Sequence, residues 1–526
     1  MFEGRSGEFK ELLKLKTIKI KGEEDMDRRE FFKLVGVAAA ATGAASAGIT
    51  GYLNAIDPAA KAGWEKEAYD PEKGRFDRTP FEIDHMPFNK VGTPKRVEKY
   101  ADTMLRRTNL NLAFDVPEGM PFPAYLKTVV DVNDLANTPL SILKDKELVA
   151  FYQGILDREG WNFFVEDLRY FLEIMPFFQR INMETSFDIA LASAYDNAHM
   201  YSAGLHVSRV ASKESDFQGI GPKKYEIKDP KEMSRLIKKI GALFGSPLVR
   251  IVKLNPEWSY EHAPGDGRGY KYGESVDIPE HWQYGIIMGI PLSWETREGA
   301  PSFFHTFEGY GTSSMLCARM SEFVKKLGYP ARENSPHARY EYIMPPHMVA
   351  AGVGEQGRLG VVVTPEFGPN FRPSMVVTNM PLEPDKPIDI GIRKFCMNCK
   401  ICADQCPSGS ISFDGPKEIN GRGYDGWQIN ASTCHNFWMS VPNGGCRVCL
   451  AVCPFSKESN WLHTTARDIA IRDRTGITAS TLTWMEKAFY GENTPEHYHY
   501  KEGSRQFDYL VGETPWFFES KNFLKE

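Results

Sequence analysis

Eight cysteines crowd into the stretch from Cys396 to Cys453, while the ninth, Cys317, stands far upstream. The first run reads Cys396-x-x-Cys399-x-x-Cys402-x-x-x-Cys406-Pro407. After an isolated Cys434, the second reads Cys446-x-x-Cys449-x-x-x-Cys453-Pro454. Thiolates at two-residue intervals can wrap one iron–sulfur cubane in a single turn of loop. The cysteine before the proline is carried off on a short helix to the other cubane. By that rule Cys396, Cys399, Cys402 and Cys453 hold one [4Fe–4S] cluster, and Cys406, Cys434, Cys446 and Cys449 hold a second. Asn443 occupies the usual first position of the second run, so Cys434 must reach in from a longer loop. Zinc would account for a pair of Cys-x-x-Cys motifs but not for the doubled Cys-x-x-x-Cys-Pro ending. Disulfides would suit an exported protein, but cysteines this close in sequence pair badly with one another. The chemistry indicated is transfer of single electrons.

Something must position such a module and use its electrons. A chain of 526 residues has room for two to four domains and a large core. A net charge of −6 offers no basic footprint, so nucleic acid is not an expected partner. From Lys231 a rhythm of helix and strand sets in: a helix over Met233–Phe244, then strands over Leu248–Leu254 and Tyr284–Ile290. An amphipathic helix follows over Thr312–Leu327, stopped by Gly328, and a short strand over Leu359–Val363. Between Pro139 and Phe178 the apolar residues fall at three- and four-residue spacing, as in helices packed on a core. Residues 48–100 are polar and punctuated by Pro and Gly, reading as an extended arm. Domain boundaries expected on these grounds are a signal region 1–47, an arm and helical region 48–230, and an α/β core 231–385. A ferredoxin-like module 386–462 and a C-terminal tail 463–526 packing on the core complete them.

The N-terminal region carries an export pattern. Arg28-Arg29, Phe31, a modest Ala/Gly-rich apolar stretch from Leu34 and Ala45-Ser46-Ala47 read as a twin-arginine signal. The apolar stretch is too short for a comfortable membrane span. A start at Met26 would give the signal its usual short leading region. Twin-arginine export carries folded proteins, as clusters loaded in the cytoplasm require.

Signal, cysteine runs and the nonapeptide Thr364-Pro365-Glu366-Phe367-Gly368-Pro369-Asn370-Phe371-Arg372 together resemble the corrinoid-dependent reductive dehalogenases of organohalide-respiring bacteria. Thr378-Asn379-Met380-Pro381-Leu382 through Pro387-Ile388-Asp389, and Leu254-Asn255-Pro256-Glu257-Trp258-Ser259-Tyr260, carry the resemblance further. It covers the signal and then runs from about Leu248 to His463. It implies an α/β (α+β) fold: a nitroreductase-like corrinoid-binding core with an inserted or appended ferredoxin-like two-cluster module. The implied cofactors are two [4Fe–4S] clusters and a base-off cobamide, and no Asp-x-His-x-x-Gly motif is present to supply a lower His ligand. The implied partners are an organohalide substrate, a small integral-membrane anchor protein and an electron donor from the quinone pool. The place is the outer face of the cytoplasmic membrane or the periplasm, and the assembly a candidate homodimer.

The resemblance also implies two catalytic residues. The family's tyrosine lies 18 residues before the Gly-Tyr that ends a helix, which is Tyr310 here, and its partnering arginine falls at Arg372. Removal of halide leaves a carbon that needs a proton. A phenol can give one, and a guanidinium stabilises the phenolate left behind. Without the resemblance, Tyr310 between Gly309 and Gly311 reads as a core or turn tyrosine, and Arg372 as a surface arginine after a turn. The loop Pro330–Tyr340 departs from the family pattern by about three added residues, which brings Asn334 and His337 forward as pocket candidates. Cys317 reads as a buried structural thiol, and none of the 12 histidines shows ligand spacing. Two alternatives stand beside the dehalogenase. One is an enzyme like epoxyqueuosine reductase, with the same corrinoid and two-cubane plan. The other is an iron–sulfur electron-transfer subunit without a substrate.

Overall fold

The structure is a computed structural model that describes residues 69–96, parts of 122–153, and 216–490, with short omissions within each stretch. The signal region, most of the helical pattern between 139 and 178, His337, Asn443 and the chain beyond 490 lie outside the described residues.

The core is a four-stranded sheet. Its strands are β1 (Leu248–Lys253), β2 (Tyr284–Pro291), β3 (Ala331–Asn334) and β4 (Phe371–Thr378), in spatial order β1-β2-β4-β3. Every neighbouring pair is antiparallel, so the alternation of helix and strand in the sequence does not produce a parallel sheet. Strand residues point to alternate faces. Val249, Ile251, Ile286 and Met288 therefore meet α1 (Pro230–Leu243) and α2 (Phe304–Lys326) through Met233, Ile237, Cys317 and Met320. Leu248, Val252, Ile287 and Met375 face the other way, onto Trp282, Tyr342 and α3 (Met344–Ala350). With both faces covered, β1 and β2 are almost wholly buried.

Local chemistry sets the ends of these elements. Asp229 caps α1, accepting from the Lys231 N–H at 2.9 Å, and Pro230 takes the first turn, where no N–H is needed. Gly328, at φ 87°, follows α2 in the left-handed conformation expected of a helix stop. Two strands escape a propensity reading. β4 contains Pro373, but only Met375–Thr378 pair with β3, so on that side the proline removes no ladder bond. β3 is only four residues long, within the stretch that reads as a loop. The expected strand over 359–363 shrinks to Val362–Val363, paired with Glu355–Gln356.

Residues 69–96 are tied into this core. Phe81–Glu82 pair with Ile388–Asp389. Arg75 is buried, its Nε donating to Glu366 at 2.7 Å and its Nη1 to the Gly352 carbonyl at 2.9 Å. Arg96 bonds Ser259, Tyr260 and Val276. The cysteine module follows through α4 (Ile392–Cys399), α5 (Ile401–Asp404) and α6 (Val448–Ala451). Helices α7 (Trp461–Arg472) and α8 (Ile477–Tyr490) then close over it, burying Ala470, Ile471 and Ala479 in one cluster with Cys402, Cys406 and Cys453. No described helix is long and apolar enough to cross a membrane.

Candidate active site

The described thiols fall into two groups by their electrostatic neighbours. Cys402 feels Cys396, Cys453, Cys449 and Cys399, and Cys453 feels Cys396 and Cys399. Cys446 feels Cys449, Cys434 and Cys406, and Cys434 feels Cys449 and Cys406. Cys453 thus stands with the first run and Cys406 with the second. Burial pushes Cys396 and Cys434 up to about 12 and Cys449 to about 11, with neighbouring thiols adding to the rise. Such thiols stay protonated until a metal centre supplies positive charge, so loading must release protons. Among the described residues no group of three or more His, Cys, Asp or Glu is arranged to hold a metal ion directly. All nine cysteines are free of disulfides.

Outer contacts differ between the groups. The Thr483 hydroxyl on α8 lies 2.9 Å from Cys399 Sγ, and the Ser410 N–H donates to Cys406 Sγ at 3.3 Å. The buried Arg358 donates to the carbonyls of Cys396, Ser412 and Asp414 while its guanidinium lies over the Trp427 ring at 5.0 Å. It clamps the first cysteine loop, and nothing in its sequence context marks it.

Tyr310 and Arg372 meet beside this module. The Arg372 guanidinium carbon lies 4.6 Å from the centroid of the Tyr310 ring, a cation–π contact. Tyr310 does not sit in a turn. It lies inside α2, which begins eight residues before the expected Thr312. Gly309 explains how the helix comes so near. A Cβ there would stand 2.5 Å from Leu292 Cδ2 and 3.0 Å from Arg372 Cβ, so only glycine admits β4 at this distance. Arg372 in turn is fixed by the nonapeptide, which runs from a tight turn into β4. The backbones of Thr364 and Gly368 exchange hydrogen bonds, Asn370 Nδ2 donates to the Leu292 carbonyl at 2.7 Å, and β4 begins at Phe371.

Two more residues join the pair without a sequence signal. Tyr340 donates its hydroxyl to the Pro373 carbonyl at 3.0 Å. Burial pushes its phenol well above the ordinary value, and the Arg372 guanidinium pulls it back only in part. Arg447, between Cys446 and Cys449, is in electrostatic reach of both Arg372 and Tyr310. Of the expected pocket residues, Asn334 is buried in β3. Its Oδ1 accepts from the Glu341 and Tyr342 N–H groups at 2.8 and 3.0 Å, so it clamps the return strand rather than lining a site. Cys317 is buried and donates to the Met375 carbonyl at 3.3 Å. His347 is held neutral, burial lowering it to about 4, with Nδ1 2.8 Å from the Ile343 carbonyl and Nε2 accepting from the Asn255 N–H.

Glu355 is a buried carboxylate in the joint between core and module, accepting from the Ile390 and Ile392 N–H groups at the start of α4. Burial raises it from 4.5 to about 7. A raised carboxylate favours the fold fully below its unfolded value, and that support is lost as pH climbs through about 7. Glu355→Gln is therefore expected to gain about 3 kcal/mol over the native protein above pH 8 and nothing at pH 4. Denaturant unfolding at the two pH values reads the difference.

Next to the Tyr310–Arg372 contact, Arg372 Nε and Asn370 Oδ1 are buried with no hydrogen-bond partner. Buried polar atoms are seldom left so. They fit a large ligand carrying donors and acceptors on its rim, as a corrinoid does with its amide side chains.

The core is thus an antiparallel α+β unit with a half-buried Tyr–Arg contact, beside a module whose eight cysteines fall into two groups of four. A family profile for a 4Fe-4S dicluster domain matches residues 395–457. The chain is 32% identical to the tetrachloroethene reductive dehalogenase of Sulfurospirillum multivorans, over 45% of this chain and 52% of that protein. It is 34% identical to the chloroethene reductive dehalogenase of Dehalococcoides mccartyi strain VS, over 55% of this chain and 58% of that one. A solved reductive dehalogenase, for which a mechanism of B12-dependent dehalogenation has been suggested, shares the fold with a TM-score of 0.54 at 20% identity. That match covers 85% of this chain and 52% of that one. The chain is thus a relative of reductive dehalogenases, with a 4Fe-4S dicluster domain, and it spans about half the length of the curated relatives it matches.

Proposed function

We propose that this protein is a reductive dehalogenase that replaces halogen by hydrogen in an organohalide. The observation that carries this reading is the Arg372 guanidinium over the Tyr310 ring, in a chain with eight clustered cysteines. The balance is R–X plus two electrons and one proton, giving R–H and halide. Cys396, Cys399, Cys402 and Cys453 would hold one [4Fe–4S] cluster, and Cys406, Cys434, Cys446 and Cys449 the other, groups that would supply single-electron transfer. A corrinoid, when bound, would supply low-valent cobalt chemistry for breaking the carbon–halogen bond. Arg372 and Asn370, with their unpartnered buried atoms, would hold its rim or the substrate. Tyr310 gives the proton from its Oη to the carbon that loses halogen. Arg372 stabilises the resulting phenolate and offers a cation to the departing halide. Tyr340 keeps its own proton, by burial and by its bond to Pro373, and so serves to position Arg372.

Around this chemistry we place the expectations drawn from the N-terminus and the resemblance. The chain is exported folded by the twin-arginine route to the outer face of the cytoplasmic membrane or the periplasm. A small integral-membrane anchor protein holds it there, and electrons come from the quinone pool.

The test is metal content on protein purified without oxygen and loaded with a cobamide. About one Co and about 8 Fe per chain, with halide release from organohalides under a low-potential dye, support the proposal. About 8 Fe with no Co in folded protein leaves an electron-transfer protein instead. Within the same assay, Gly309→Ala is expected to lower turnover by about tenfold or more by lifting α2 from Arg372, with iron and cobalt content unchanged.

A further inference from the structure

Helix α8 lies beyond the stretch matched by the dicluster profile, which ends at residue 457, yet it is tied to that module at three places. The Thr483 hydroxyl lies 2.9 Å from Cys399 Sγ. Lys487 Nζ stands 2.8 Å from the carboxylate of Asp404, the last residue of α5, the short helix that carries Cys402. Glu486 is buried in an ion pair with Lys457, four residues after Cys453, and Lys457 also donates to the Ala451 carbonyl at 3.0 Å. Positions 483, 486 and 487 are three and four residues apart, so they share one face of the helix. Ala479, one turn earlier on that face, is buried in the same cluster as Cys402 and Cys453. One side of α8 thus meets the segments of Cys399, Cys402 and Cys453. For the second group the hydroxyl and N–H contacts come from inside the matched stretch. The Ser410 N–H donates to Cys406 Sγ at 3.3 Å, and the Ser410 hydroxyl pairs with that of Thr433 at 2.7 Å.

Thr483 has two acceptors for one proton. Its Oγ1 also donates to the Ala479 carbonyl at 2.7 Å, the bond that a helical threonine commonly makes one turn back. A thiol sulfur is a weak acceptor beside that carbonyl, whereas a thiolate is a strong one. Iron binding requires Cys399 as thiolate, and the hydroxyl already stands within reach of it. We propose that α8 is an outer wall of the first cluster, and that Thr483 is a positioning residue that raises this cluster's reduction potential by donating to the Cys399 thiolate. The bond draws negative charge from the sulfur, which favours the reduced form. Glu486 and Lys487 keep the hydroxyl in place by holding α8 to the segments of Cys453 and Cys402. The inference rests on the assignment of Cys399 and Cys453 to one cluster and is independent of the dehalogenase reading.

The test uses the full chain with both clusters loaded, poised by dye at a fixed solution potential. EPR gives the reduced-to-oxidised ratio of each cluster, the first being the one whose signal is missing from Cys453→Ala. In Thr483→Val, which keeps the bulk and loses the hydroxyl, the ratio for the first cluster is expected to fall about fivefold. Thr483→Ser should bring it back to within about twofold of native, and the second cluster should be unchanged in both. Thr481→Val removes a hydroxyl of the same helix that bonds the Ile477 carbonyl at 3.3 Å, and it should move neither cluster. After transfer to heavy water, ENDOR of the first cluster should show an exchangeable deuteron that Thr483→Val lacks. An unchanged first-cluster ratio in Thr483→Val, or equal shifts in both clusters, overturns the inference. If Thr483→Val does not keep its iron, the smaller Thr483→Ala decides by the same two criteria. A fall confined to the cluster that survives in Cys453→Ala overturns it through the ligand assignment, not through the hydroxyl.

Discussion

Replacing Tyr310 by Phe is expected to lower halide release at least about 100-fold, the lower end of what a positioned general acid contributes. Two features make the substitution clean. The Phe ring can keep the same place beneath Arg372, so the cation–π contact survives. The hydroxyl is also the only group lost, so the packing of α2 against β4 through Gly309 is not disturbed. Cobalt and iron contents should match the native protein, and both clusters should still be reduced by dye. A variant that keeps all of this and still turns over at the native rate would remove Tyr310 from the proton path. Tyr340 is another phenol beside Arg372, but its proton is engaged with the Pro373 carbonyl. A Tyr340→Phe control in the same assay separates loss of the donor from loss of Arg372 positioning.

Cys453→Ala should halve the iron, from about 8 to about 4 per chain. The cluster lost should be the one served by the first cysteine run, although Cys453 belongs to the second. The thiol environments carry this expectation, since Cys453 stands with Cys396 and Cys399 while Cys406 stands with Cys434, Cys446 and Cys449. EPR of the reduced variant should show one cluster without magnetic coupling to a neighbour. Loss of both clusters would mean that the first cluster holds the module together. Its buried ligands pack in one apolar group with Phe455 and Ala479, so the unfolding contribution is to be checked by circular dichroism.

How much of this was legible in the residues varies with the physics. The cysteine runs were readable because spacing along the chain translates directly into a cage. The strands Leu248–Lys253 and Tyr284–Pro291 were readable because burial on both faces demands a mostly apolar run, interrupted in the first only by Arg250 before the closing Lys253. β4 was hidden because the exemption of Pro373 depends on which neighbour pairs with it, a fact of topology. Tyr310 reads locally as a turn residue because glycine on either side argues against a helix. Its helical place follows from Gly309 serving close packing instead of a bend. Arg358, Tyr340, Glu355 and Arg447 were not legible at all. Each is a polar residue whose partners lie far along the chain, and no local pattern reports such a match.

The turn over Thr364–Gly368 has a consequence for the order of assembly. A Cβ at Gly368, where φ is 61°, would stand 2.0 Å from the carbonyl oxygen of Phe455, immediately after Cys453-Pro454. Glu366 in the same turn holds Arg75 by its side chain and receives Arg467 of α7 at its carbonyl. One five-residue bend thus anchors the early arm, the last helices and the loop of a cluster ligand, and it ends where the strand bearing Arg372 begins. The bend therefore links the packing of the cysteine module to the placement of Arg372. Iron-free chain should exchange its amide hydrogens quickly across residues 364–372, and iron loading should protect them before any corrinoid is added.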